Sequence, residues 1–168
     1  EMYAESLVGS VNGYKRQVCN STLTASPTSV VADGTASSTM TLQAKDANGN
    51  NLSTGGLTVT MTESGSATLN TVTDNNNGTY TATITSTTAE TVTVTAAISG
   101  TNVTDTATVT FTATAATVGN STLTASPTTV AADGTSSTMT LQAKDANGNN
   151  LSTGGLTVTM TESGSALP

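Results

Sequence analysis

One stretch of this chain occurs twice. Asn20–Thr35 (NSTLTASPTSVVADGT) returns at Asn120–Thr135 as NSTLTASPTTVAADGT, and Ser37–Ala67 returns unchanged at Ser136–Ala166 after loss of the residue matching Ala36. The period is about 100 residues, the length of a two-sheet β-sandwich and far beyond that of a solenoid repeat. A tandem array of such units points to a built length of protein rather than to a single reaction centre.

Within each unit the residues alternate with period two. From Thr39, TMTLQAK places Met40, Leu42 and Ala44 on one face and Thr39, Thr41 and Gln43 on the other. LTVTM (Leu57–Met61), TYTATIT (inward Tyr80, Ala82, Ile84), TVTVTA (inward Val92, Val94, Ala96) and TATVTFTA (inward Ala107, Val109, Phe111, Ala113) repeat that pattern. Strict alternation is the mark of half-buried strands in antiparallel sheets. Between them stand Asp33-Gly34, Asp46-Ala47-Asn48-Gly49-Asn50, Gly55-Gly56, Asn75-Asn76-Asn77-Gly78 and Ser99-Gly100, whose Gly and Asn tolerate the positive φ of tight turns. Seven or so short strands in about 100 residues predict a two-sheet sandwich. Pro27 and Pro127, which cannot donate to a ladder, fit an edge or the break where a first strand changes sheets.

Composition agrees. Thr fills 41 of 168 positions, and its β-branched side chain suits strands while its hydroxyl keeps a sheet's outer face wet. A net charge of −7 with only four Lys and Arg argues against nucleic acid and against an anionic membrane surface, both of which need basic patches. Cys19 is the single cysteine, so no intrachain disulfide framework exists. No run approaches the roughly 18 apolar residues of a membrane span, so no membrane insertion by this segment is expected. The chain opens on Glu1 without a signal-peptide run, which reads as a mature or excised piece of something longer.

The order of these pieces resembles the bacterial Ig-like domains of intimin/invasin-type surface proteins. The resemblance rests on the VADGT turn, the alternating strand running into KDANGN, the TDNNNGTYTATITS hairpin and the late TVTVTA strand. It implies an all-β, immunoglobulin-like antiparallel β-sandwich in tandem repeats: residues 1–19 as the end of a preceding domain or an attachment segment, 20–119 as a complete domain, and 120–168 as the first half of a second. Such a half would lack its own core, leaving Met139, Leu141, Leu156, Val158 and Met160 without the partners that Tyr80, Ile84, Val94 and Phe111 supply in the first copy. Truncation of a longer array explains that, and completion by another chain's strands is the alternative.

Chemistry has little to work with. The absence of His excludes a Ser–His–Asp or Cys–His arrangement and any His-bearing zinc site. Asp33, Asp46, Glu63, Asp74, Glu90 and Asp105 are scattered at turns and strand ends, so no catalytic residue is expected. A calcium site is the better chemical hypothesis: Asp46, Asn48 and Asn50 offer oxygens at alternate positions around a Gly, like the first half of a hard-cation loop, but without the later bidentate Glu. Equally, turns need Asp and Asn for their own sake.

Two functions stand apart. One is a non-catalytic spacer of a bacterial cell-surface adhesin, extracellular, with neighbouring Ig-like modules or subunits as partners and a host-cell surface protein or glycan as the distant one. The other is an Ig-like appendage of a tailed-phage virion making weak contacts with cell-surface glycan.

Overall fold

A computed structural model describes residues 20–164. The readings made above for residues 1–19, Cys19 among them, and for the last residues, 165–168, lie outside the described residues. In the first copy ten strands form: β1 (Thr22–Ser26), β2 (Ser29–Val31), β3 (Ser38–Gln43), β4 (Val59–Glu63), β5 (Thr68–Leu69), β6 (Thr73–Asp74), β7 (Thr79–Thr85), β8 (Thr91–Ile98), β9 (Thr101–Asn102) and β10 (Ala107–Thr112). Seven of them have three or more residues; β5, β6 and β9 are two-residue additions that the alternation is too short to reveal.

They make two sheets. One runs β1-β3-β7-β5 with β6 also on β7, the other β2-β10-β8-β4 with β9 also on β8. All pairings are antiparallel except β2 with β10, where Val30 lies beside Phe111. Pro27 stands where the chain leaves the first sheet after Ser26 and joins the second at Ser29, the sheet change expected of it.

The inward faces meet as predicted. Met40, Leu42, Tyr80, Ala82, Ile84, Val92, Val94, Ala96, Ala107, Val109 and Phe111 are all buried in one cluster. Outward-facing Thr pairs reach across neighbouring strands, Thr62 to Thr95 at 2.9 Å and Thr91 to Thr110 at 3.3 Å. Ala113 lies beyond the end of β10 and is half-buried.

One strand begins later than its alternation suggests. LTVTM predicts pairing from Leu57, yet the ladder starts at Val59. The Gly56 amide donates instead to the Asp74 carboxylate at 2.7 Å, and the Leu57 amide to the buried Tyr80 hydroxyl at 3.0 Å. Leu57 still packs on the core.

The second copy forms β11 (Thr122–Ser126) and β12 (Thr138–Gln142), paired in the same register as β1 and β3. Met139, Leu141, Leu156, Val158 and Met160 are exposed there, as expected of residues without a facing sheet. Among the described residues its LTVTM stretch is no strand, because β8, the partner of β4, has no counterpart.

The repeat supplies a matched experiment. Met40 is 0% exposed and Met139, its equivalent, 52%. Met40→Ala should destabilise the first copy by about 2–5 kcal/mol in chemical denaturation, whereas Met139→Ala should cost under about 1 kcal/mol.

Candidate functional site: the joint between the copies

The calcium candidates Asp46, Asn48 and Asn50 sit together in one hairpin loop that follows β3. Its base is closed by the Lys45–Asn51 bridge and its span by Asp46 N–H to Asn50 O, 2.9 Å. Asp46 organises the interior. Its Oδ1 accepts the amides of Asn48 (2.9 Å) and Asn50 (2.8 Å), and its Oδ2 accepts the Asn50 side-chain amide (2.9 Å). Hydrogen bonds from Asn50, side chain first and then backbone, hold the Asp46 carboxyl below its usual range. Gly49 takes φ +87°, a conformation costly for any residue with a Cβ. Both Asp46 oxygens thus already serve loop donors. Among the described residues, no three His, Cys, Asp or Glu side chains converge as a metal-binding group.

Four of the other acidic residues also serve backbone amides. Asp33 accepts Thr35 and Ala36, Asp74 accepts Gly56 and Asn76, Glu90 accepts Ser66, and Asp105 ties the start of β1 through Leu23 at 3.1 Å. These are fasteners of turns and strand ends, scattered through the sandwich.

In the second copy the same loop, Asp145 to Asn149, has the same interior. Asp145 Oδ1 accepts Asn147 (2.9 Å) and Asn149 (2.8 Å), and Oδ2 accepts the Asn149 side-chain amide (2.9 Å). Here the loop touches the first copy. The Asn147 side-chain amide donates to Ala32 O at 2.8 Å. Asn149 clamps a turn: its Nδ2 donates to Thr87 O and its Oδ1 accepts the Ala89 amide, both at 2.8 Å. Because Thr87 O only accepts and Ala89 N–H only donates, the pattern fixes which atom of the Asn149 amide is nitrogen.

The receiving surface is the far end of the first sandwich. Its turns at 32–34 and 86–89 are joined by Gly34 N–H to Ser86 O (3.0 Å), and Ala32 N–H is tied to Thr112 O (2.8 Å). Ser86 is buried and caps its own turn through Thr88. The linker completes the joint. Thr114 N–H donates to Asp145 Oδ2 at 3.0 Å, Thr117 N–H to Lys144 O at 2.7 Å, and the Asn120 side chain to Asp145 O and Ala146 O.

Three hydrogen bonds from loop to sandwich, at about 1 kcal/mol net each, total about 3 kcal/mol. Between tethered partners that is enough to keep a joint closed roughly a hundredfold over open.

Sequence reasoning singled out this loop for oxygen ligands and missed its amides. The available signal was the exact return of DANGNN in both copies. The socket carried none, since Ala32, Thr87 and Ala89 contribute only backbone atoms.

Asp145 is fully buried in the joint. Burial pushes its carboxyl up, but the Asn149 side chain and the amides of Thr114, Asn149 and Asn147 outweigh that and bring it from 3.8 down to about 2. A depressed folded value means stability that is complete above pH 3.8 and lost as pH falls through about 2. In an NMR titration over that window the Asn147 and Asn149 side-chain amides should therefore move together toward solvent-exposed positions, a step that Asp145→Asn should remove.

Comparisons with known proteins agree with this architecture. The family model "Invasin, domain 3" matches residues 17–114 and again 117–167. Among solved structures, the chain is similar to invasin, a bacterial integrin-binding protein, with 39% identity and TM-score 0.65 over 79% of this chain and 28% of that one. It is also similar to InvD of Yersinia pseudotuberculosis (32% identity, TM-score 0.67, 80% of this chain and 40% of that one). The adhesin FdeC of Escherichia coli gives 31% identity and TM-score 0.57 over 80% of this chain and 43% of that one. A comparison with curated proteins yields no match. The chain spans less than half the length of each of these relatives. Nothing in the comparisons supports the virion alternative. With a family model matching most of its length, the chain belongs to the invasin domain 3 family, the Ig-like modules of intimin/invasin-type bacterial surface adhesins.

Proposed function

We propose that these modules form a spacer arm on the outside of a bacterial cell, holding a terminal binding domain of the parent adhesin away from the surface. The observation that carries this reading is the joint itself. In the first copy the loop and the socket lie at opposite ends of β3 and β7, and the loop of the second copy is seated in that socket. Such a contact joins unlike faces, so it can repeat from one module to the next along the chain. A protein built for reach needs that property.

Direct ligand binding by this segment has less support. Recognition surfaces concentrate Trp, Tyr and Arg, whereas Tyr80, the single one of these among residues 20–164, is buried in the core. The partners of the module are therefore its neighbours in the array. Binding of a host-cell surface protein or glycan falls to another part of the parent protein, and the carboxylates contribute to folding rather than to catalysis.

Removing residues 20–119 from the parent protein separates the two roles. The purified protein should keep its affinity for host cells, while bacteria displaying it beneath a tall polysaccharide layer should attach less well. Loss of affinity in the purified protein would assign ligand binding to the module and overturn the spacer reading.

A further inference from the structure

The first copy carries the same loop as the second, but turned toward the opposite end of its sandwich from the socket. We infer that the loop at Asp46, Asn48 and Asn50 is a docking plug whose partner is the far end of another module of this kind, joined ahead of Asn20. This rests on the reading of the modules as a stacked array and names the partner of an end that the described residues leave open.

Three observations carry it. First, the plug is preformed: Asp46 and Asp145 make the same three hydrogen bonds at the same distances of 2.9, 2.8 and 2.9 Å. Second, its attachment to the incoming chain is also matched. The Asn20 side chain donates to Ala47 O at 3.1 Å, as Asn120 does to Ala146 O at 3.0 Å, so the first described residue is tied to the loop as its counterpart is in the second copy. Third, the groups that bind in the second copy are free in the first. Among the described residues, the side-chain Nδ2 of Asn48 and the side-chain Oδ1 of Asn50 have no partner, whereas Asn147 and Asn149 use the same side-chain atoms on Ala32 and Ala89.

The chemistry required of the partner is narrow. It must offer two carbonyl oxygens and one amide N–H on neighbouring turns, in the arrangement of Ala32 O, Thr87 O and Ala89 N. Because these are backbone groups, the socket demands a shape and not a sequence. A module of the same fold satisfies it even where its residues differ. A cation would instead compete for the Asp46 oxygens, which are held by the loop's own donors, and would leave the outward amide of Asn48 unused.

The test replaces residues 1–19 of the full chain by a further copy of residues 20–119, so that Asn20 follows a module as Asn120 does. Hydrogen exchange and side-chain amide NMR then report on both joints at once. The upstream amide equivalent to Ala89 should exchange at least about tenfold more slowly than in an Asn48→Ala, Asn50→Ala variant, and the Asn48 and Asn50 resonances should move to those of Asn147 and Asn149. If Asn147 and Asn149 are docked while Asn48 and Asn50 stay as they are in the 168-residue chain, the inference is overturned and the spacer reading survives. If neither pair is docked, both fall. Slowed exchange of the Asp46–Asn50 loop in the 168-residue chain on adding calcium alone would also overturn the inference, assigning the loop to a cation.

Discussion

A carboxylate that satisfies its own loop is what the rest of this architecture depends on. Asp145 collects the amides of Asn147 and Asn149 and the Asn149 side chain, and only a loop held this way can aim its Asn amides outward in a fixed geometry. An unheld loop would lose most of the bond energy to the entropy of ordering it. Pre-organisation lets about three cross-module hydrogen bonds act as a joint, although the contact is small and polar. It also explains why the loop has the same interior in both copies.

The sandwich below the loop follows a different economy. With Tyr80 and Phe111 as its only aromatic rings, the core relies on Val, Ile, Leu, Met and Ala packed between two alternating sheets. Thr on the outer faces supplies strand preference and hydration together. Such a surface offers few charged or aromatic features for a partner to grip. Specific contact is therefore left to the ends, where turns expose backbone groups. High identity between neighbours has a cost, because like modules can exchange strands while folding.

Much of this was legible in the residues. The strands at Thr39, Thr79, Thr91 and Ala107 declared themselves by period two, and Pro27 marked the change of sheet. The late start of β4 was not legible, because it depends on a carboxylate at Asp74 and a hydroxyl at Tyr80 that the fold brings in from elsewhere in the sequence. The loop at Asp46 stood out because Asp and Asn at alternate positions suit a cation, and the same residues suit equally a self-satisfied turn with spare amides. Nothing short of three dimensions could reveal the socket, since Ala32, Thr87 and Ala89 act through main-chain atoms common to every residue.

Rigidity at the joint is the property on which the account stands or falls. Residual dipolar couplings on two tandem copies of residues 20–119 measure it directly, because modules locked together share one alignment and freely hinged modules each have their own. The account predicts a single alignment for both modules, splitting into two when the Asn residues equivalent to Asn147 and Asn149 are changed to Ala. Two independent alignments in the unaltered protein would contradict it.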